Sequence, residues 1–223
     1  MTRIPFSFRF LVRFAALSFL CLAAHELIHH LMVRLTCGAW GTMTFSTFAL
    51  PAGCTPEGPV LLATLAGPLL TWLLIWGGYA MIRHGEVRPG VMLVLANLPL
   101  ARVVTVLMRG GDEMVLGRAL APGEMLWLPI LALTLLLFWM PVRTTARAIA
   151  SPHRWAILAG FLVLPLPWDM LLKRVWLARL LEQHPAAVGG VPVLFMVACT
   201  MAIALLVLLR RPAANPLAYA TAS

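Results

Sequence analysis

Apolar runs of about twenty residues recur along the chain, and each is long enough to cross the hydrocarbon core of a bilayer as a helix. Six are readable: Phe14 to Val33, Val60 to Ile82, Gly90 to Met108, Met125 to Pro141, Trp155 to Leu172 and Val191 to Leu209. Pro165 and Pro167 break the fifth. Composition agrees, at 61% hydrophobic, 11% charged and a mean hydropathy of +0.92. A soluble domain is roughly half apolar and a quarter charged, so that class is excluded. In hydrocarbon the backbone has no water to bond, so spanning segments close their own hydrogen bonds as helices. The expected fold class is therefore all-α: a polytopic integral membrane protein with about six transmembrane helices, forming one domain over residues 1–223.

The formal net charge of +9 does not describe a nucleic-acid surface, because the seventeen basic residues form no single patch and nearly all sit at the ends of apolar runs. Lys and Arg in such positions meet lipid headgroups, so the implied partner is the bilayer and no nucleic acid is expected. With the N-terminus inside, the inner loops hold ten basic residues and the outer loops six, with Arg102 left within a span. That bias puts both termini in the cytoplasm of a multi-pass protein of the cell inner membrane. Arg9, Arg13 and the small pair Ala23-Ala24 also resemble a secretory leader. The apolar pattern continues past Ala24 to Met32, however, so the segment reads as a retained span.

Four cysteines are too few for a disulfide scaffold, and no Cys-x-x-Cys pair offers a thiolate metal site. Cys21 and Cys199 lie in apolar runs as packing residues. Cys37 and Cys54 flank the loop after the first span and can pair if that loop faces an oxidising compartment.

Chemistry concentrates in His25-Glu26-Leu27-Ile28-His29. On a helix, positions i and i+4 stack on one face, so both imidazoles can reach a single metal ion. Glu26 lies about 100° around the helix from His25, off the ligand face but able to hold a water beside the ion. Zinc lowers the pKa of such a water to about 7, and a neighbouring carboxylate can take its proton during attack on a carbonyl. Ionisable groups inside a membrane span are expensive and functional by default. The bland alternative is an interfacial turn in which His and Glu meet headgroups and water.

A catalytic zinc site usually needs a third protein ligand. The chain has two aspartates: Asp112 lies just beyond the third span and Asp169 near the end of the Pro-broken fifth, and both spans exit on the motif's side. Asp112 follows Gly110-Gly111, which lets the backbone bend closely around an ion. Asp169 has an alternative use as partner of Lys173 or Arg174, one turn along. Asp112 is the better candidate, and Glu113 replaces it if the loop is turned by one residue. His30 points off the ligand face and receives no catalytic role.

The stretch His25 to Gly38, reading HELIHHLMVRLTCG, resembles the opening motif of the site-2 protease family of intramembrane metalloproteases. Leu65-Ala66-Gly67-Pro68-Leu69 is similar to the Gly-Pro segment of that family's second core helix. Asn97-Leu98-Pro99 followed by Gly110-Gly111-Asp112-Glu113 loosely resembles its Asn-x-x-Pro and Asp-Gly segments. The Asn-to-Asp distance is longer than usual here, and Glu113 stands where the family has glycine. The likeness covers residues 14–118, with 119–211 as additional membrane helices and 212–223 as a disordered tail. It implies a zinc metalloendopeptidase that hydrolyses membrane-embedded or membrane-adjacent proteins. It also implies His25, His29 and Asp112 as ligands to Zn2+, Glu26 as general base, and Asn97 as a group that orients substrate or oxyanion. Gly67-Pro68 has a second reading as a kink for close helix packing, and Asn97 as a bond between helices.

Thr42 to Phe48 alternates small polar and bulky apolar residues. It reads either as a short strand or hairpin with an open edge, in which Phe45 and Thr47 meet an extended substrate, or as an interfacial loop with aromatic anchors. Three rival functions remain. His25-x-x-x-His29-His30 matches a di-iron hydroxylase box, but six histidines are too few for such a site. The Pro165-Leu166-Pro167 break suits a transporter, although no duplicated half is visible. A scaffold or chaperone that keeps the protease fold without turnover is the third.

Overall fold

A computed structural model describes residues 7–54, 59–120 and 126–209. Four helical stretches in it are long and apolar enough to cross a membrane: Phe8–Cys37, Val60–Arg83, Val87–Leu107 and Trp127–Ala148. Large apolar side chains face outward from them, among them Leu73, Leu136 and Trp139, each more than half exposed. A surface of that kind is stable against lipid rather than water. The chain is a helical membrane protein.

Helix α1, Phe8–Cys37, carries the metal motif. Ser7 caps it by accepting a bond from the Phe10 amide, and Gly38 ends it in the left-handed region at φ 70°. At 30 residues it is about 45 Å long, well beyond the ~30 Å hydrocarbon thickness. Two short strands follow, β1 Thr42–Met43 and β2 Phe48–Ala49, paired antiparallel with Met43 opposite Phe48. Helix α2, Pro59–Arg83, packs along α1 and also on α3, Val87–Ala96. The α2–α3 contact runs through Gly78 and Gly90, where a Cβ on either would press into the other's carbonyl oxygen. Small residues at such a crossing let two membrane helices approach closely.

The third expected span is interrupted. α3 stops at Ala96, Leu98 takes a left-handed φ of 47°, and Pro99 opens α4, Pro99–Leu107. Pro99 disfavours the right-handed helical conformation at the residue before it, so the break is local in origin. Helix α5, Asp112–Leu120, then folds back, and α6, Trp127–Ala148, is the fourth long helix. Phe14 of α1 and Phe161 of α7, Arg154–Val163, meet edge-on at 5.0 Å in a buried cluster where α1, α3, α6 and α7 converge.

The fifth and sixth apolar runs fold as shorter helices than the sequence implied, so among the described residues four helices are long and apolar enough to cross a membrane, and the six-span count is not confirmed. The fifth is divided into α7, Arg154–Val163, and α8, Pro165–Leu171, which runs into a π-helical stretch, Leu172–Leu177, and then α9, Ala178–Gln183. Pro165 withholds the amide that would continue α7. The sixth loses its start to a second hairpin, β3 Ala187–Val188 and β4 Val191–Pro192, leaving α10 as Val193–Leu208. Gly189 and Gly190 both have positive φ, as a type I′ turn requires. The expected tail, 212–223, lies outside the described residues.

The two hairpins join above the end of α1. The Met43 amide donates to the Gly190 carbonyl at 3.1 Å. His30 donates from Nε2 to the Gly189 carbonyl at 2.7 Å and stacks on Trp40. His30 is thus a buried strut between α1 and the second hairpin. Cys37 and Cys54 form a disulfide across the first hairpin, with Cα atoms 5.7 Å apart.

Candidate metal centre

His25 and His29 project from the same face of α1, their rings edge-to-face with centroids 4.6 Å apart. Their Nε2 atoms are 3.1 Å from each other. Asp112 Oδ2 completes the group, 3.1 Å from His25 Nε2 and 3.5 Å from His29 Nε2. All three ligand atoms lie within 4.8 Å of one another, close enough to hold a single metal ion.

The turn after α4 brings Asp112 there. Arg109 (φ 56°) and Gly111 (φ 82°) both adopt left-handed backbone, and the Gly110 amide bonds back to the Thr105 carbonyl at 2.8 Å. The Arg109 guanidinium lies over the Trp127 ring, whose Nε1 donates to the Val106 carbonyl at 2.8 Å. Asp112 is then the first residue of α5, where a carboxylate meets the positive end of the helix.

The other ring nitrogens decide what the Nε2 atoms can do. His29 Nδ1 lies 2.6 Å from the Ala63 carbonyl, which can only accept, so Nδ1 carries the proton and Nε2 is left with a lone pair. His25 Nδ1 is 3.0 Å from the Thr71 hydroxyl, which holds that ring in the same orientation. Outer bonds of this kind fix imidazoles as metal ligands. Two imidazole nitrogens and a carboxylate oxygen converge in a buried site, and such a group is stabilised when positive charge lies among its atoms. A shared proton, a guanidinium or a metal ion can supply it. The donor set therefore fits a divalent ion.

Helix α2 forms the wall behind the imidazoles. A Cβ on Gly67 would overlap His29 Nε2, and it would also fall 2.6 Å from His25 Cε1. Pro68 beside it withholds an amide from the Thr64 carbonyl, so this side of α2 lacks one side chain and one helical bond. Gly67→Ala is accordingly expected to weaken divalent-metal binding by about 10–100-fold. Competition against a chromophoric chelator measures this, and unchanged affinity would mean that the α2 wall does not position the rings.

Burial pushes the Asp112 carboxyl up, but its contacts with His25 and His29 and the Arg102 charge outweigh that, and its pKa lies below the usual carboxylate range. It is thus ionised and ready to ligate at neutral pH. Its neighbour Glu113 is only 5% exposed, and burial raises its pKa despite Arg102 nearby. Glu113 is outside the convergent set, and its Oε1 lies 3.7 Å from Arg102 Nε.

Glu26 is half-buried on α1, off the ligand face, within electrostatic reach of His29, Lys173, Asp112 and Arg102. Asn97 caps α3 instead of reaching the cluster. Its Nδ2 donates to the Leu93 carbonyl at 2.8 Å, and its side chain also meets the Cys21 thiol. Phe45, 2% exposed, packs with Phe195 and Phe19. Thr47 is exposed and closes the hairpin tip through its hydroxyl, 2.8 Å from that of Thr44. The residue of this segment that reaches the histidines is Phe48, whose ring stacks on His29 at 4.7 Å. The side chain of Asp169 lies outside the described residues, although its backbone is part of α8.

Sequence reasoning gave no site role to Thr71, Phe48, Arg102 or Lys173. Lys173 is buried in the π-helical stretch, an irregularity frequent at functional sites. Arg102 alone carried a readable signal, as a charge inside an apolar run.

No protein-family model, curated protein or solved structure matches the chain.

Proposed function

We propose that this protein is an integral-membrane zinc endopeptidase, distantly related to the site-2 proteases, that cleaves membrane-embedded or membrane-adjacent proteins. The observation that carries the reading is the convergence of Asp112 on the α1 pair His25 and His29, with Glu26 next to His25 on the same helix. Two imidazoles and one carboxylate form a donor set typical of catalytic zinc, with a fourth position left open. When bound, zinc supplies a Lewis acid that makes water nucleophilic near neutral pH.

The protein's own groups do the rest. Glu26 accepts the proton of the attacking water as its oxygen bonds to the scissile carbonyl carbon, then passes that proton to the departing amide nitrogen as the C–N bond breaks. Among the described residues β2 pairs only with β1, so its other edge is unpaired, and Phe48 of β2 lies against His29. An extended substrate segment can add to that edge through main-chain bonds. The two shorter apolar helices complete six crossings in this reading, with both termini cytoplasmic. The Cys37–Cys54 pair supports an oxidising compartment outside the inner membrane for the loop after α1.

The test is a cleavage assay in vesicles of phosphatidylethanolamine and phosphatidylglycerol, using a panel of tagged single-span proteins. Zinc-loaded protein is expected to cut at least one of them within or next to its span, to stop on treatment with phenanthroline, and to resume on zinc addition. Cleavage that survives complete metal removal would contradict the mechanism. Absence of cleavage across the panel by zinc-loaded protein would favour the scaffold or transporter readings.

A further inference from the structure

Arg102 stands on α4 with its guanidinium at the ligand atoms. Nη2 lies 2.8 Å from His25 Nε2 and 2.9 Å from His25 Nδ1, and Nη1 lies 3.2 Å from Asp112 Oδ2. Arginine has only donors and stays charged under all ordinary conditions. It therefore places a fixed positive charge against His25 and Asp112, two of the three candidate ligands. A cation so close to two of the three ligands opposes a divalent ion by charge and by engaging the Asp112 oxygen.

A second residue offers Arg102 somewhere to go. The Glu113 carboxylate is buried, neither oxygen has a hydrogen-bond partner, and Oε1 is already 3.7 Å from Arg102 Nε. A buried carboxylate without hydrogen bonds is an expensive arrangement that a guanidinium moving toward it would relieve. We infer that Arg102 is an internal cation that pairs with His25 and Asp112 in the metal-free protein and transfers to Glu113 when an ion binds, so that the Arg102–Glu113 pair sets metal affinity. The inference rests on the proposal that His25, His29 and Asp112 bind a divalent ion.

The experiment is a zinc titration of purified full-length protein in detergent, by competition with a chromophoric chelator at constant pH. It compares the parent with Arg102→Gln, Arg102→Lys, Glu113→Gln and the double variant Arg102→Gln/Glu113→Gln. Circular dichroism confirms that each is folded. Arg102→Gln is expected to bind zinc at least about tenfold more tightly, because a competing charge has gone. Arg102→Lys keeps the charge without the planar fork and falls between the two. Glu113→Gln is expected to bind about tenfold more weakly, since the displaced guanidinium loses its acceptor. The double variant should match Arg102→Gln, because Glu113 acts only through Arg102. Equal or weaker binding by both Arg102 variants would overturn the inference while leaving the metal site intact, as would a Glu113 effect that persists without Arg102. If neither the parent nor Arg102→Gln binds zinc, the metal reading itself fails and the inference fails with it.

Discussion

Glu26→Gln is expected to hold zinc as tightly as the parent and to lose peptide-bond cleavage by about a thousandfold or more. Glutamine matches glutamate in shape, and position 26 is outside the ligand set, so neither the helix nor the metal group is disturbed. What disappears is proton acceptance: an amide can hydrogen-bond to the attacking water but cannot take its proton, and general-base catalysis is worth about 10²–10⁴-fold. The vesicle assay with zinc-loaded protein measures the loss directly. Parent-like rates from Glu26→Gln would remove the base from the mechanism and favour a binding or transport role for the histidine pair.

The second large effect concerns the ligands. His25→Ala or His29→Ala leaves one imidazole and one carboxylate, and Asp112→Ala leaves two imidazoles. Each is expected to lose zinc at concentrations that saturate the parent, because a tetrahedral catalytic site depends on all three protein donors. Asp169→Ala is expected to retain it. The contrast between the two aspartates matters because both were open as third ligand in the sequence, and the return of the chain through Arg109, Gly110 and Gly111 delivers Asp112 to the histidines.

Much of the site was legible because its spacing is local. His25 and His29 share a helical face by periodicity alone, and Gly110-Gly111 announced a backbone able to turn back sharply. Partners from other helices left weaker traces. The Ala63 carbonyl and the Thr71 hydroxyl orient the imidazoles, yet neither differs in sequence from any other residue of an apolar helix. Gly67 was readable as a packing glycine, and only the assembled fold shows that the space it leaves is taken by imidazole rings. In the hairpin, β character was legible from Thr42 onward, but which aromatic faces the histidines depends on register. With strands of two residues the turn decides register, so Phe48 faces His29 while Phe45 enters the core. Arg102 stood out as a charge within a span, and its partners lie 77 and 10 residues away, beyond the reach of local pattern. The span count differed for a similar reason. Hydropathy registers apolar length, whereas Pro165 breaks the fifth run and β4 takes the first two residues of the sixth, so both fold as helices shorter than the other four.

The most direct test of the metal centre is the zinc content of purified protein after chelator stripping, reloading and removal of free ion. The parent is expected to retain about one zinc per chain, as one three-ligand site with an open position requires. The double variant His25→Ala/His29→Ala should retain none while keeping its helical circular dichroism. Full zinc occupancy in that variant, or none in the folded parent, would contradict the account.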